Sequence, residues 1–100
     1  MFKDLDPILH SQLRLAVISI LVRSGTSEFT SIQEETGSTS GNLSVQIYKL
    51  KEAGYIEIEK KFKGNYPQTI CRITPLGIEK FNQYVNSLRG YLRAGDKDKS

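Results

Sequence analysis

The chain has 100 residues, 38% of them hydrophobic, 9% aromatic and 25% charged, with a formal net charge of +3 at pH 7. That size supports one small domain burying ~60–70% of the surface its unfolded chain exposes, and the composition is globular rather than disordered or fibrous. No apolar run approaches the roughly 20 residues of a membrane span, MFKDLDP lacks the layout of a secretion signal, and the lone Cys71 makes no internal disulfide and has no metal-ligand companion, so a cytoplasmic protein with no cofactor and no metal is expected.

Asp6 followed by Pro7 reads as a helix cap with proline in the first turn, where its missing amide donor is not needed. The first helix is expected to start there. Ile8, Leu9, Leu13, Leu15, Ala16, Ile18, Ile20, Leu21 and Val22 make it apolar around much of its circumference, so it should pack on two sides. Arg23, Ser24 and Gly25 end it, and Ser27, Glu28 and Phe29 form a turn or a stub of strand. Thr30 with Gln33 three residues on matches a reciprocal capping box for a short second helix, which stops at Gly37. Ser38, Thr39 and Ser40 then offer hydroxyls to cap a third helix, over about residues 39–53. In it Leu43, Ile47 and Leu50 share one face, with Ala53 beside them and Gly54 as the stop. Gly41, Val45, Tyr48, Lys49 and Glu52 lie opposite. With Ser40, Asn42 and Ser44 of the polar first turn, they are the surface a partner would meet.

After Gly54 the period becomes alternating, with Ile56 and Ile58 on one side and Glu57 and Glu59 on the other, as in a half-buried strand. Phe62 to Pro67 form a polar, glycine-containing connection, and Thr69 to Thr74 alternate again, with Cys71 and Ile73 facing together. Thr74 caps a last helix that carries Pro75 in its first turn and an apolar stripe of Ile78, Phe81, Tyr84, Val85, Leu88 and Leu92. The run from Gly95 to Ser100 has nothing to bury. One domain over residues 1–94 and a disordered tail over 95–100 are expected, without internal repeats.

Helix, short helix, helix, hairpin, helix is a winged helix-turn-helix, mainly α with a small β-hairpin (α+β). Between Lys60 and Arg72 stand three lysines, one arginine and no acid, a local positive excess placed where the wing, about residues 60–67, should be. The residues also resemble a known family. GNLSVQIYKLKEAGYIEIEKKFKG, then YPQT, then ITPLG, is similar to the small stand-alone winged-helix transcriptional regulators of bacteria and archaea, relatives of the MarR and ArsR groups. The resemblance covers roughly residues 13–88.

It implies a homodimer, joined through the first and last helices, that binds double-stranded DNA with the third helix in the major groove and the wing on the backbone or minor groove. Carried onto this chain, it assigns Ser38, Thr39, Ser40, Gly41, Asn42, Ser44, Val45 and Gln46 to the reading turn and helix. Lys49, Lys60, Lys61 and Lys63 would hold phosphates, and Asn65 and Tyr66 sit at the wing tip. Hydroxyls and exposed amides at a helix N-terminus suit an anion, and Asn42 and Gln46 can pair with adenine where they reach a base edge. Val45 stands where many MarR-like readers carry arginine, and Gln46 where the closer subgroup often carries histidine. Preference would then rest on Gln46, on thymine-methyl contact with Val45, or on DNA shape.

Blander readings accompany these. The serine-rich turn serves plain capping in any helix-turn-helix, and a lysine-bearing hairpin edge resists aggregation without touching DNA. Cys71, on an in-facing strand position, reads as buried and inert rather than as a redox sensor. His10 reads as a surface or dimer-interface side chain, and no polar cluster points to a small-molecule effector. No nucleophile with a base, carboxylate pair or phosphate-cradling glycine loop is present, so an enzyme is not expected. The remaining choice is between a homodimeric transcriptional repressor on DNA and a winged helix used as a protein-interaction module.

Overall fold

The computed structural model describes residues 2–97. Its elements are α1 (Gln12–Ser24), β1 (Thr26–Glu28), α2 (Phe29–Thr36), α3 (Ser40–Glu52), β2 (Ile56–Lys63), β3 (Tyr66–Ile73) and α4 (Pro75–Lys97). The winged helix-turn-helix is present, with the short β1 as a third strand. It pairs antiparallel with β3, giving a sheet of order β1-β3-β2.

Several boundaries differ from the sequence expectation. Asp6 does cap a turn, its Oδ1 accepting from the Ile8 amide at 2.8 Å, but α1 begins only at Gln12. Ser11 is extended, at φ −151° and ψ 129°, which breaks the helix there, and Arg14 takes up carbonyls left by the break. Its Nε donates to the carbonyl of Ile8 at 2.6 Å and its Nη2 to that of Pro7 at 3.4 Å, occupying the acceptors a continuous helix would need. The Thr30–Gln33 capping box does not form. Glu28, held extended by pairing with Ile70, is the residue before α2, which puts Thr30 inside the helix. The hairpin strands run further than expected, so Phe62, Lys63, Tyr66 and Pro67 belong to β2 and β3, and only Gly64 and Asn65 make the turn. Gly64 has φ +63° and Asn65 an ordinary negative φ, the arrangement of a two-residue turn with glycine first. Lastly, α4 continues to Lys97, so the tail expected from Gly95 is helical over 95–97; residues 98–100 lie outside the described residues.

The core explains the apolar excess of α1. Val17, Ile18 and Leu21 are fully buried, and α1 touches α2, α3, α4, β1 and β3. Its apolar circumference thus covers the chain's own interior on more than one side. Leu43, Ile47 and Leu50 bring α3 onto it, Ile32 brings α2, and Ile56 and Cys71 bring the sheet. Burial pushes the Cys71 thiol up to about 11, so it stays protonated at neutral pH. His10 bonds the hydroxyl of Tyr84 on α4, Nδ1 to oxygen 3.1 Å.

The three ends that meet at residues 54, 55 and 74–77 fix α4. The Thr74 hydroxyl donates to the Gly54 carbonyl at 2.7 Å and accepts from the Gly77 amide at 3.0 Å, capping α4 as the sequence predicts. The Thr74 amide also donates to the Tyr55 carbonyl at 3.1 Å. The radius of gyration, 15.6 Å, exceeds the roughly 13 Å of a compact 100-residue domain, and the longest extent is 60 Å.

A Cβ at Gly77 would stand 2.2 Å from the Tyr55 carbonyl oxygen and 2.8 Å from Ile73 Cδ1, whereas one at Gly90 would meet nothing within 4 Å. Gly77→Ala should therefore destabilise the domain by about 1–3 kcal/mol, and Gly90→Ala should stabilise it by about 0.5–1 kcal/mol through helix propensity. Chemical-denaturant unfolding of the two variants checks both signs.

Candidate nucleic-acid interface

The turn into α3 is built from a glycine stop, a hydroxyl pair and a cap. Gly37 ends α2 in the left-handed region at φ +65°, a conformation open to glycine at no steric cost. The Thr36 and Ser38 hydroxyls then bond each other at 2.8 Å, which turns half-buried Ser38 back toward α2. Thr39 is the cap. Its Oγ1 accepts from the Asn42 amide at 3.2 Å, leaving the other amides of the first turn facing solvent.

Beyond the cap, Ser40, Gly41, Asn42, Ser44, Val45 and Lys49 are exposed, while Leu43, Ile47 and Leu50 face the core. A Cβ at Gly41 would meet nothing within 4 Å, so glycine there leaves a bare stretch of helix rather than relieving a clash inside the protein. Tyr48 is exposed but not free. Its hydroxyl donates to Glu52 at 2.6 Å, and that hydrogen bond, with the nearby charge, raises its pKa.

Gln46 is placed differently from the rest. It is half-buried, and its Oε1 accepts from Arg14 Nη1 while its Nε2 donates to Asn42 Oδ1 at 3.2 Å. The side chain expected to be a free base reader already has partners at both ends of its amide. Arg14, which the sequence reading passed over, is thus a polar neighbour of the site. The signal available was one cation among the apolar residues of the first helix.

On the wing, strand alternation sets Lys61 and Lys63 on the face of Glu57, Glu59 and Tyr66, and Lys60 and Phe62 on the face that begins with Ile56 and Ile58. Past Ile58 that face leaves the core. Phe62 and Tyr66 are 74% and 78% exposed, so the outer wing holds two aromatics bare beside its lysines. The described ion pairs are Arg23–Glu35 at 3.1 Å and Arg72–Glu59 at 3.4 Å. Among the described residues, Lys49, Lys60, Lys61 and Lys63 therefore have no carboxylate partner, and Asn65 is exposed in the turn itself. A cleft of 710 Å³ lies elsewhere, between the segment Lys3–Pro7, Tyr55 and α4.

This geometry agrees with relatives of known structure. A transcriptional regulator homologue of Pyrococcus horikoshii OT3 superposes with a TM-score of 0.83 at 28% identity, over 89% of this chain and 88% of that one. A MarR-family regulator of Enterococcus faecalis V583 shares the fold, with a TM-score of 0.73 at 18% identity over 92% and 82% of the two chains. An uncharacterised protein of Methanocaldococcus jannaschii is 31% identical over 78 residues, covering 78% of this chain and 85% of that one. The model of the winged helix DNA-binding domain matches residues 13–92, four-fifths of the length. The chain belongs to the winged-helix DNA-binding domain family, with the fold of the MarR-like transcriptional regulators.

Proposed function

We propose that this protein is a homodimeric transcriptional repressor that blocks promoter access by binding a palindromic duplex through α3 and the wing. The observation that carries the reading is the joint exposure of a capped, polar helix start and a wing whose lysines have no acidic partners among the described residues. Backbone amides and a positive dipole end favour phosphate at the start of α3, and unpaired lysines release counterions when they meet phosphate. Phosphate contacts would place the protein on the duplex, and side chains of α3 would then meet base edges.

Support for the dimer comes from α4 rather than α1, because the apolar side chains of α1 are largely used inside the domain. Ile78 and Leu92, 40% and 61% exposed, share one side of α4, while Leu76 and Tyr91, 39% and 37% exposed, lie on the other, where Phe2 stacks on Tyr91 with ring centroids 4.7 Å apart. A second copy related by two-fold symmetry would cover such a surface, and α4 with the N-terminal segment would form most of it. Repression follows from occupancy alone, since a bound dimer excludes other proteins from the same duplex.

Replacing both Lys61 and Lys63 by glutamine should weaken binding to all duplexes alike and lower the slope of log affinity against log salt by about two. Fluorescence anisotropy at several salt concentrations reads both quantities. Unchanged affinity would remove the wing from the interface, and no binding by the parent at any salt would favour the protein-interaction module.

Gly41→Ala should leave folding stability unchanged or raise it by up to about 1 kcal/mol, yet weaken duplex binding where DNA approaches the bare helix start. Opposite signs in thermal unfolding and anisotropy are the expected outcome. Light scattering at tens of micromolar should give twice the 11.3 kDa chain mass; the monomer mass would count against the dimer.

A further inference from the structure

We infer that Gln46 is a positioning residue and that a hydrogen-bond chain from Arg14 through Gln46 sets which way Asn42 presents its amide to the partner. The inference rests on the DNA-binding reading for its biological meaning, but the chain itself is a property of the free protein.

The direction of the chain follows from donor and acceptor chemistry. A guanidinium has five N–H donors and no acceptor. Arg14 is anchored, because Nε donates to the Ile8 carbonyl at 2.6 Å and Nη2 to the Pro7 carbonyl at 3.4 Å. The Nη1 that remains for Gln46 meets an oxygen only if Oε1 faces it. That orientation turns Nε2 of Gln46 toward Asn42, one helical turn earlier, where it donates to Oδ1 at 3.2 Å. Asn42 must then point its oxygen at Gln46, which leaves the two N–H donors of Nδ2 for solvent or a partner. A flipped Asn42 would set two donor groups against each other. The amide orientation that symmetry of shape leaves open is thus fixed from α1.

The exposed end of the chain is the donor pair of Asn42, on the first turn of the capped helix. It suits an acceptor on a purine edge, N7 of adenine or guanine, with the second lone pair of Oδ1 still able to receive the adenine amino group. A single preset orientation also spares the ordering of a free amide on binding.

The test uses the full chain labelled with nitrogen-15 and two variants, Arg14→Met and Arg14→Lys. In the free parent, the side-chain amide protons of Gln46 should be shifted away from random-coil positions and exchange slowly. With Arg14→Met, the Gln46 and Asn42 side-chain signals should both move toward random coil, while the backbone amides of Leu43, Ile47 and Leu50 keep their positions and report an intact fold. Arg14→Lys, which can still donate one bond, should move them less. In selection from a random duplex library, Arg14→Met should lose about five-fold or more of the parent's base preference at one position per half-site, with an unchanged salt slope. Asn42 signals that ignore Arg14→Met, or a preference that survives it, would overturn the inference. A parent that binds no duplex would defeat the DNA reading alone, and the spectra would still decide the chain.

Discussion

Two backbone segments, residues 54–55 and 74–77, meet in van der Waals contact at Gly77, and most of the geometry described above depends on that crossing. The first residues of α4 lie directly on the Tyr55 carbonyl, so closely that no side chain fits between them. Thr74 bonds the carbonyl of Gly54 with its hydroxyl and that of Tyr55 with its amide, while also capping α4. The end of α3, the start of β2 and the start of α4 are therefore locked at one point. Since α3 presents the polar turn and β2 carries the wing lysines, their relative placement is set by this joint more than by any contact at the surface. Tight backbone packing of this kind resists small adjustments, because a shift of a few tenths of an ångström meets hard repulsion.

The core then decides which side of α3 is available. Leu43, Ile47 and Leu50 are held against α1, and burying three such side chains is worth roughly 5–9 kcal/mol before entropy is counted. Against this, exposed ion pairs contribute about 0–1 kcal/mol each. Leaving the wing lysines without acidic partners thus costs the fold little, while keeping their charges undiluted for an external anion. Apolar burial fixes orientation, and the charges are left free to act on a partner.

The periodic signals in the sequence were the reliable ones. The 43-47-50 face, the Ile56/Ile58 alternation, the inward Cys71 and the Thr74 cap all appear in the structure as read, because each is decided by local pattern and burial together. Boundaries decided by distant partners were not legible. The break between Leu9 and Gln12 lies at an extended Ser11 beside carbonyls that Arg14 takes, and the start of α2 at Phe29 follows Glu28, which is held by a strand about forty residues away. The same limit applied to the site. Exposure of Asn42, Val45 and the lysines followed from helix and strand periodicity, whereas the engagement of Gln46 did not, since its partner lies on another helix 32 positions earlier.

What emerges is a division of labour between two kinds of polar group. Lysines on the wing are flexible point charges, suited to phosphates wherever they lie and indifferent to sequence. The Arg14–Gln46–Asn42 chain is directional, and it is anchored in the N-terminal turn rather than in the wing. That turn is also where Asp6 accepts from the Tyr55 hydroxyl at 2.5 Å, and the segment before it lies along α4, where the Lys3 carbonyl accepts from Tyr91 at 2.8 Å. The Tyr91 side of α4 and the polar start of α3 are therefore linked by contacts that run through residues 2–8. Contact alone does not make two sites communicate. It does mean that a second copy seated on α4 would press on the same short segment that anchors Arg14, so the elements that would form a dimer and those that would meet a base share their support.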